Sequence, residues 1–121
     1  MRDHKELDVW KTGVEPVAEV YVATKSFPKE ELYGLTNQLR RAAVSIPSNI
    51  AEGAARQTQK EFVQFLYIAL GSVAEVETQL VIAEKLHYIA DGIPLFNRVT
   101  SLRKMLHGLI RHYRPKETVS D

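Results

Sequence analysis

The chain contains no cysteine, which excludes disulfide frameworks, thiolate nucleophiles and thiolate-bound metals. Its 6 glycines stand singly, so no glycine-rich loop is present to cradle a phosphate. No Ser/His/Asp ordering marks a nucleophilic triad, and there is neither strand-like alternation nor an internal repeat. No uninterrupted apolar run approaches the ~18 residues of a membrane span, and the polar opening MRDHKELD is unlike a signal peptide. A cytoplasmic protein with no membrane association is therefore expected. Neither sign of charge dominates: 16 Lys and Arg stand against 15 Asp and Glu, a net charge of +1. The sum alone points to no polyanionic partner; only the distribution could.

Helical periodicity is what the chain has in quantity. Its 121 residues, 45% of them hydrophobic, suit a single domain with a thin core. Leu7, Trp10, Val14, Val17, Tyr21 and Thr24 recur at alternating steps of three and four, predicting an amphipathic helix over about 5–25. Asp3 or Asp8 is placed to cap it, and Gly13 with Pro16 predicts a bend or break at its middle. Pro28 to Gly34 reads as a connector, with Phe27 and Leu32 covering the end of the bundle. A second helix over about 36–55 has Thr36 as its expected cap. Its seam runs Leu35, Leu39, Ala42, Ile46, Asn49, Gly53, narrowing so that a neighbouring backbone can approach near its end. Pro47 predicts a kink between Ala43 and Pro47, and Arg41, Ser45, Ser48 and Glu52 form a second, polar stripe.

Thr58-Gln59-Lys60-Glu61 is a capping-box pattern that opens a third helix over about 59–89. Its seam is Phe62, Leu66, Ala69, Val73, Val76, Leu80, Ala83 and His87. Val63, Phe65, Tyr67, Ile68 and Leu70 lie off that seam, more apolar surface than one small bundle covers, which predicts a subunit interface. After Asp91-Gly92-Ile93-Pro94, a fourth helix over about 94–114 packs through Leu95, Val99, Leu102, Leu106, Leu109 and Tyr113. Pro115 is expected to stop it, leaving Lys116 to Asp121 as a loose tail. Four helices on short connectors predict an all-α, antiparallel up-down-up-down four-helix bundle.

The runs LRRAAVSIPSNIAEG (39–53) and KEFVQFLYIALGSVAEVETQL (60–80) resemble the bacterial 23S rRNA intervening-sequence protein family. The likeness extends from about Asp8 to Ile89 and more loosely to Tyr113. It implies an antiparallel four-helix bundle assembled into a ring-like homopentamer. It also implies a distant relationship to the accessory proteins of diversity-generating retroelements, which bind nucleic acid and a reverse transcriptase.

Two groups of residues are candidates for function. From Ile93 to Lys116 there are six Arg or Lys and no Asp or Glu. Arg98, Arg103, Lys104, Arg111 and Arg114, with His107 on the same face, make a basic stripe suited to phosphate backbone of RNA or DNA. The helix dipole explains cations in the last turn, Arg111 and Arg114, but not those further back. The second group, Arg40, Arg41, Asn49, Glu52, Phe65, Ile68, Glu75 and Glu77, reads as an oligomer interface or ion-pair network, or as solvated helix faces. Glu84 and His87 match half of a di-iron Glu-x-x-His pattern, but that chemistry needs two such motifs and two more glutamates. His87 reads instead as capping the core beside an exposed Glu84. His107 and His112, flanked by arginine, suggest no metal either. The expectation is a non-enzymatic homo-oligomer without cofactor, acting as a nucleic-acid-binding adaptor beside a protein partner such as a reverse transcriptase. The alternative is a purely protein-binding or structural oligomer, and a metal enzyme assembled across subunits is the third reading.

Overall fold

Short connectors force consecutive helices to lie side by side, and here they do so around one core. The computed structural model describes residues 3–114. In chain order these form a 3₁₀ turn (His4–Glu6), α1 (Asp8–Thr24), a second 3₁₀ turn (Lys29–Glu31), α2 (Leu35–Ala54), α3 (Gln59–Lys85) and α4 (Ile93–Tyr113). Each helix packs on the helices before and after it, and α4 closes on α1, while among the described residues the diagonal pairs α1–α3 and α2–α4 keep their backbones apart. Thr24 meets Arg40, Ser45 meets Ser72, and Glu77 meets Arg103. Those pairings require each helix to run against its neighbour. The arrangement is the all-α four-helix bundle, held by fully buried Leu39, Ile46, Phe62, Leu66, Leu102 and Leu106. The expected end at Pro115 and the tail beyond it lie outside the described residues.

Helix α1 departs most from the periodicity reading. Its buried face is Val9, Gly13, Pro16, Val20 and Thr24; Thr24 lies on the expected seam, while the other four sit one residue, or ~100° of helical rotation, off it. Val14 and Tyr21 on that seam are each 42% exposed. Large amphipathic aromatics such as Trp10 and Tyr21 favour the margin of a core, where a polar end stays wet. Gly13 instead faces inward, and a methyl group there would sit 3.7 Å from Ile46 and Ile50 and 3.8 Å from Leu102. The helix is not broken at Pro16. Asp3 caps the 3₁₀ turn, accepting the Lys5 N–H at 3.0 Å, while Leu7 caps α1 without a side-chain bond.

Thr36 is not the cap of α2. It is buried inside the helix, and Glu31 supplies the acceptor, taking the Leu35 N–H at 3.2 Å. α2 runs unbroken through Pro47, whose ring is buried. Beside it the Asn49 amide donates to the Ser45 carbonyl at 2.7 Å. The capping box of α3 forms as expected: Thr58 accepts the Glu61 N–H at 3.1 Å and its hydroxyl donates to the Glu61 carboxylate at 2.9 Å.

α3 ends at Lys85, four residues short of the expected Ile89. His87 is therefore not on the seam. It is exposed, with φ of 61°, and this left-handed residue turns the chain out of the helix. The Tyr88 N–H bonds the Ala83 carbonyl at 2.9 Å and the His87 N–H bonds Glu84 at 3.0 Å, satisfying the last carbonyls in a Schellman turn. At the same bundle end Phe27 is buried but Leu32 is 49% exposed. Phe27 therefore covers the core there, stacked against Tyr88 with ring centres 5.3 Å apart.

Candidate nucleic-acid interface

Periodicity places cations on the outer side of α4; their partners depend on the helices alongside. Arg98 donates to the Glu19 carboxylate of α1. Arg103 donates to Glu77 of α3 at 3.1 Å, and the same oxygen accepts the Thr100 hydroxyl at 2.8 Å. Glu77 is only 14% exposed while Arg103 is 46% exposed, so the link is open to solvent on the arginine side. Two of the five candidate residues are thus neutralised by carboxylates on adjacent helices, which corrects the expectation of an unopposed stripe. Nothing in the sequence of α4 could show this, because both acids belong to other helices.

Lys104, Arg111 and Arg114 are exposed and have no ion-pair or hydrogen-bond partner for their side chains among the described residues. With exposed His107 they recur at steps of three, four and three, so they share one face. From Lys104 to Arg114 that face is ~15 Å long at the helical rise. His112 is turned the other way, into a groove it shares with Glu6 and Asp8, and contributes nothing to this surface.

The second candidate group does not form one network. The Arg40 Nε donates to the Thr24 hydroxyl at 2.8 Å, and its guanidinium lies 4.7 Å from the centre of the Tyr21 ring. Glu52 pairs at 3.1 Å with Arg56, just past the end of α2, and Arg56 also stacks over Phe65. Glu77 is committed to α4. Arg41 and Glu75, both exposed, remain without a partner among the described residues. They line opposite walls of an α2–α3 groove of about 440 Å³, together with Asn49, Ile68, Ser72 and Gln79. The floor is tied by a Ser45–Ser72 hydroxyl bond at 2.5 Å. Gln79 went unnoticed in the sequence, yet its Oε1 is buried without a hydrogen-bond donor.

Glu84 and His87 are both exposed and do not face inward. Among the described residues no three His, Asp or Glu lie close enough to hold a metal ion. By length and composition alone α3 is apolar enough to cross a membrane, and only 33% of its most apolar stretch is buried in the bundle. Half-exposed Tyr67 and Ile68 lie on its outer side.

A family model described as "23S rRNA-intervening sequence protein" matches residues 5–108. The chain belongs to that family. No curated protein matches it significantly. Among solved structures it is similar to a protein of unknown function from the S23 ribosomal protein family of Bacteroides thetaiotaomicron VPI-5482. The TM-score is 0.77 and the identity 24%, over 85% of this chain and 95% of that one. At this identity the likeness establishes the fold. The family match takes in both walls of the α2–α3 groove, whereas of the three unpaired cations it includes Lys104 alone. Arg111 and Arg114 lie beyond it.

Proposed function

We propose that this member of the intervening-sequence family is a non-enzymatic homo-oligomer, a ring of five copies, that serves as a nucleic-acid-binding adaptor. Its phosphate contacts come from Lys104, Arg111 and Arg114. The observation that carries the reading is that these cations share one exposed face of α4 and no carboxylate among the described residues opposes them, whereas Arg98 and Arg103 pair with acids of neighbouring helices. A face of this length meets several phosphates of one strand, and a symmetric ring repeats it once per copy. The resemblance to pentameric, nucleic-acid-binding relatives supports the same arrangement. A purely protein-binding oligomer is the second reading, favoured by the apolar outer face of α3.

Fluorescence-anisotropy titrations with short RNA and DNA separate the two. Wild type should bind with an affinity that falls steeply as salt rises, since each neutralised phosphate releases a counterion. It should discriminate weakly between sequences, because phosphate contacts position a protein without reading bases. Lys104→Glu/Arg111→Glu should lose binding by ~10-fold or more. Arg103→Gln, whose side chain already serves Glu77, should bind nearly as wild type does. Equal binding by the double variant, or no binding by wild type at low salt, leaves the protein-binding oligomer standing.

A further inference from the structure

We infer that the α2–α3 groove is the seat of a second copy of this chain, with Arg41 of one copy paired to Glu75 of the next. The inference rests on the oligomeric reading above and specifies which surface makes the contact.

The charges carry it. Every other ion pair between or along helices closes within the chain: Glu19 with Arg98, Glu77 with Arg103, Glu52 with Arg56. Arg41 and Glu75 stand apart, one on each wall of one groove, both exposed and both without a partner among the described residues. A nucleic acid would meet Glu75 as a repulsive charge. In a ring, Arg41 of each copy meets Glu75 of the next, so every copy has both groups paired by its two neighbours, and arginine's planar fork suits a carboxylate.

Three further features of the same face need a covering surface. The Gln79 Oε1 is enclosed without a donor among the described residues. Ile68 is 50% exposed and Ile82 is 42% exposed, on the face that also carries Glu75. Gly71, between Ile68 and Glu75, has no chain atom within 4 Å of where a side chain would begin. A glycine in a helix interior lowers helix stability relative to alanine, and no contact inside this chain requires it. The open space over it leaves room for another backbone to approach closely.

Light scattering coupled to size exclusion tests the pairing through charge reversal. Wild type should run as an oligomer, while Arg41→Glu and Glu75→Arg should each fall toward the 13.7 kDa monomer with helical circular dichroism retained. Mixing the two variants in equal amounts should partly restore assembly, because every contact between unlike copies pairs arginine with a carboxylate, while an odd-numbered ring keeps one seam between like copies. If a reversed chain does not fold, Arg41→Gln and Glu75→Gln take its place and should raise the dissociation constant by ~10-fold or more. Single variants that keep the wild-type mass would overturn the groove assignment alone. Variants that dissociate but are not rescued on mixing would overturn the Arg41–Glu75 pairing. A monomeric wild type would remove the oligomeric reading itself.

Discussion

At Gly53 the first turn of α3 leaves no room for a side chain. A methyl group there would lie 2.5 Å from the Phe65 Cβ, 3.2 Å from the Phe62 ring and 3.3 Å from the Phe62 carbonyl. The nearest atom is fixed to the backbone and cannot swing aside, so the helices would have to part. Gly53→Ala should therefore destabilise the chain by ~1–3 kcal/mol, the opposite of the usual gain from replacing a helical glycine. A thermal melt followed by circular dichroism checks the sign: a raised midpoint would refute the close packing. The narrowing of α2 toward Gly53 was visible in the sequence. What it narrows against, the aromatic pair Phe62 and Phe65, was not.

At the scale of elements, one carboxylate joins two connectors. Glu31 caps α2 through one oxygen and accepts the Tyr88 hydroxyl at 2.9 Å through the other, tying the α1–α2 connector to the α3–α4 connector. That hydrogen bond to Glu31, foremost, then burial and the negative charge of Glu31 and Glu30 hold the Tyr88 phenol above its ordinary value of 10.0. A raised folded-state pKa means the link contributes in full below the unfolded value of ~10 and is lost as pH rises through the folded value. The stability advantage of wild type over Tyr88→Phe should therefore be constant near neutrality and shrink at alkaline pH. Thermal midpoints of both proteins from ~pH 8 to ~pH 11 measure it; a difference that stays flat across that range would show that the hydroxyl does not depend on Glu31. The link joins residues 57 positions apart, beyond anything local pattern can indicate.

For the whole molecule, the outer face of α3 is the dominant unfinished surface. Its inner residues, from Phe62 to Ala83, fill the core, while Tyr67, Ile68, Val81 and Ile82 are 41–50% exposed on the outside. A charge inserted where another subunit covers this face would be left desolvated and unpaired. In the proposed assembly, Ile68→Glu should leave a 13.7 kDa monomer with little change in helix content, since Ile68 is not part of the chain's own core. Sedimentation velocity at several concentrations gives the mass directly. An unchanged oligomer would place the subunit contact elsewhere.

The sequence by itself determined the number and order of the helices, the α3 seam from Phe62 to Ala83 and the Thr58 cap of α3. These follow from interactions a few residues apart, where helical geometry dictates which side chains and backbone groups can meet. Other features were decided only by the tertiary structure. Gly13 and Pro16 of α1 face the core, His87 leaves α3 in a left-handed conformation, and Glu31 rather than Thr36 opens α2. Arg98 and Arg103 are neutralised while Lys104, Arg111 and Arg114 have no side-chain partner among the described residues. Periodicity shows which residues share a face, but the neighbouring helices determine which face turns inward. A salt bridge extends only a few ångströms, so its partner is whichever side chain the packing brings within reach.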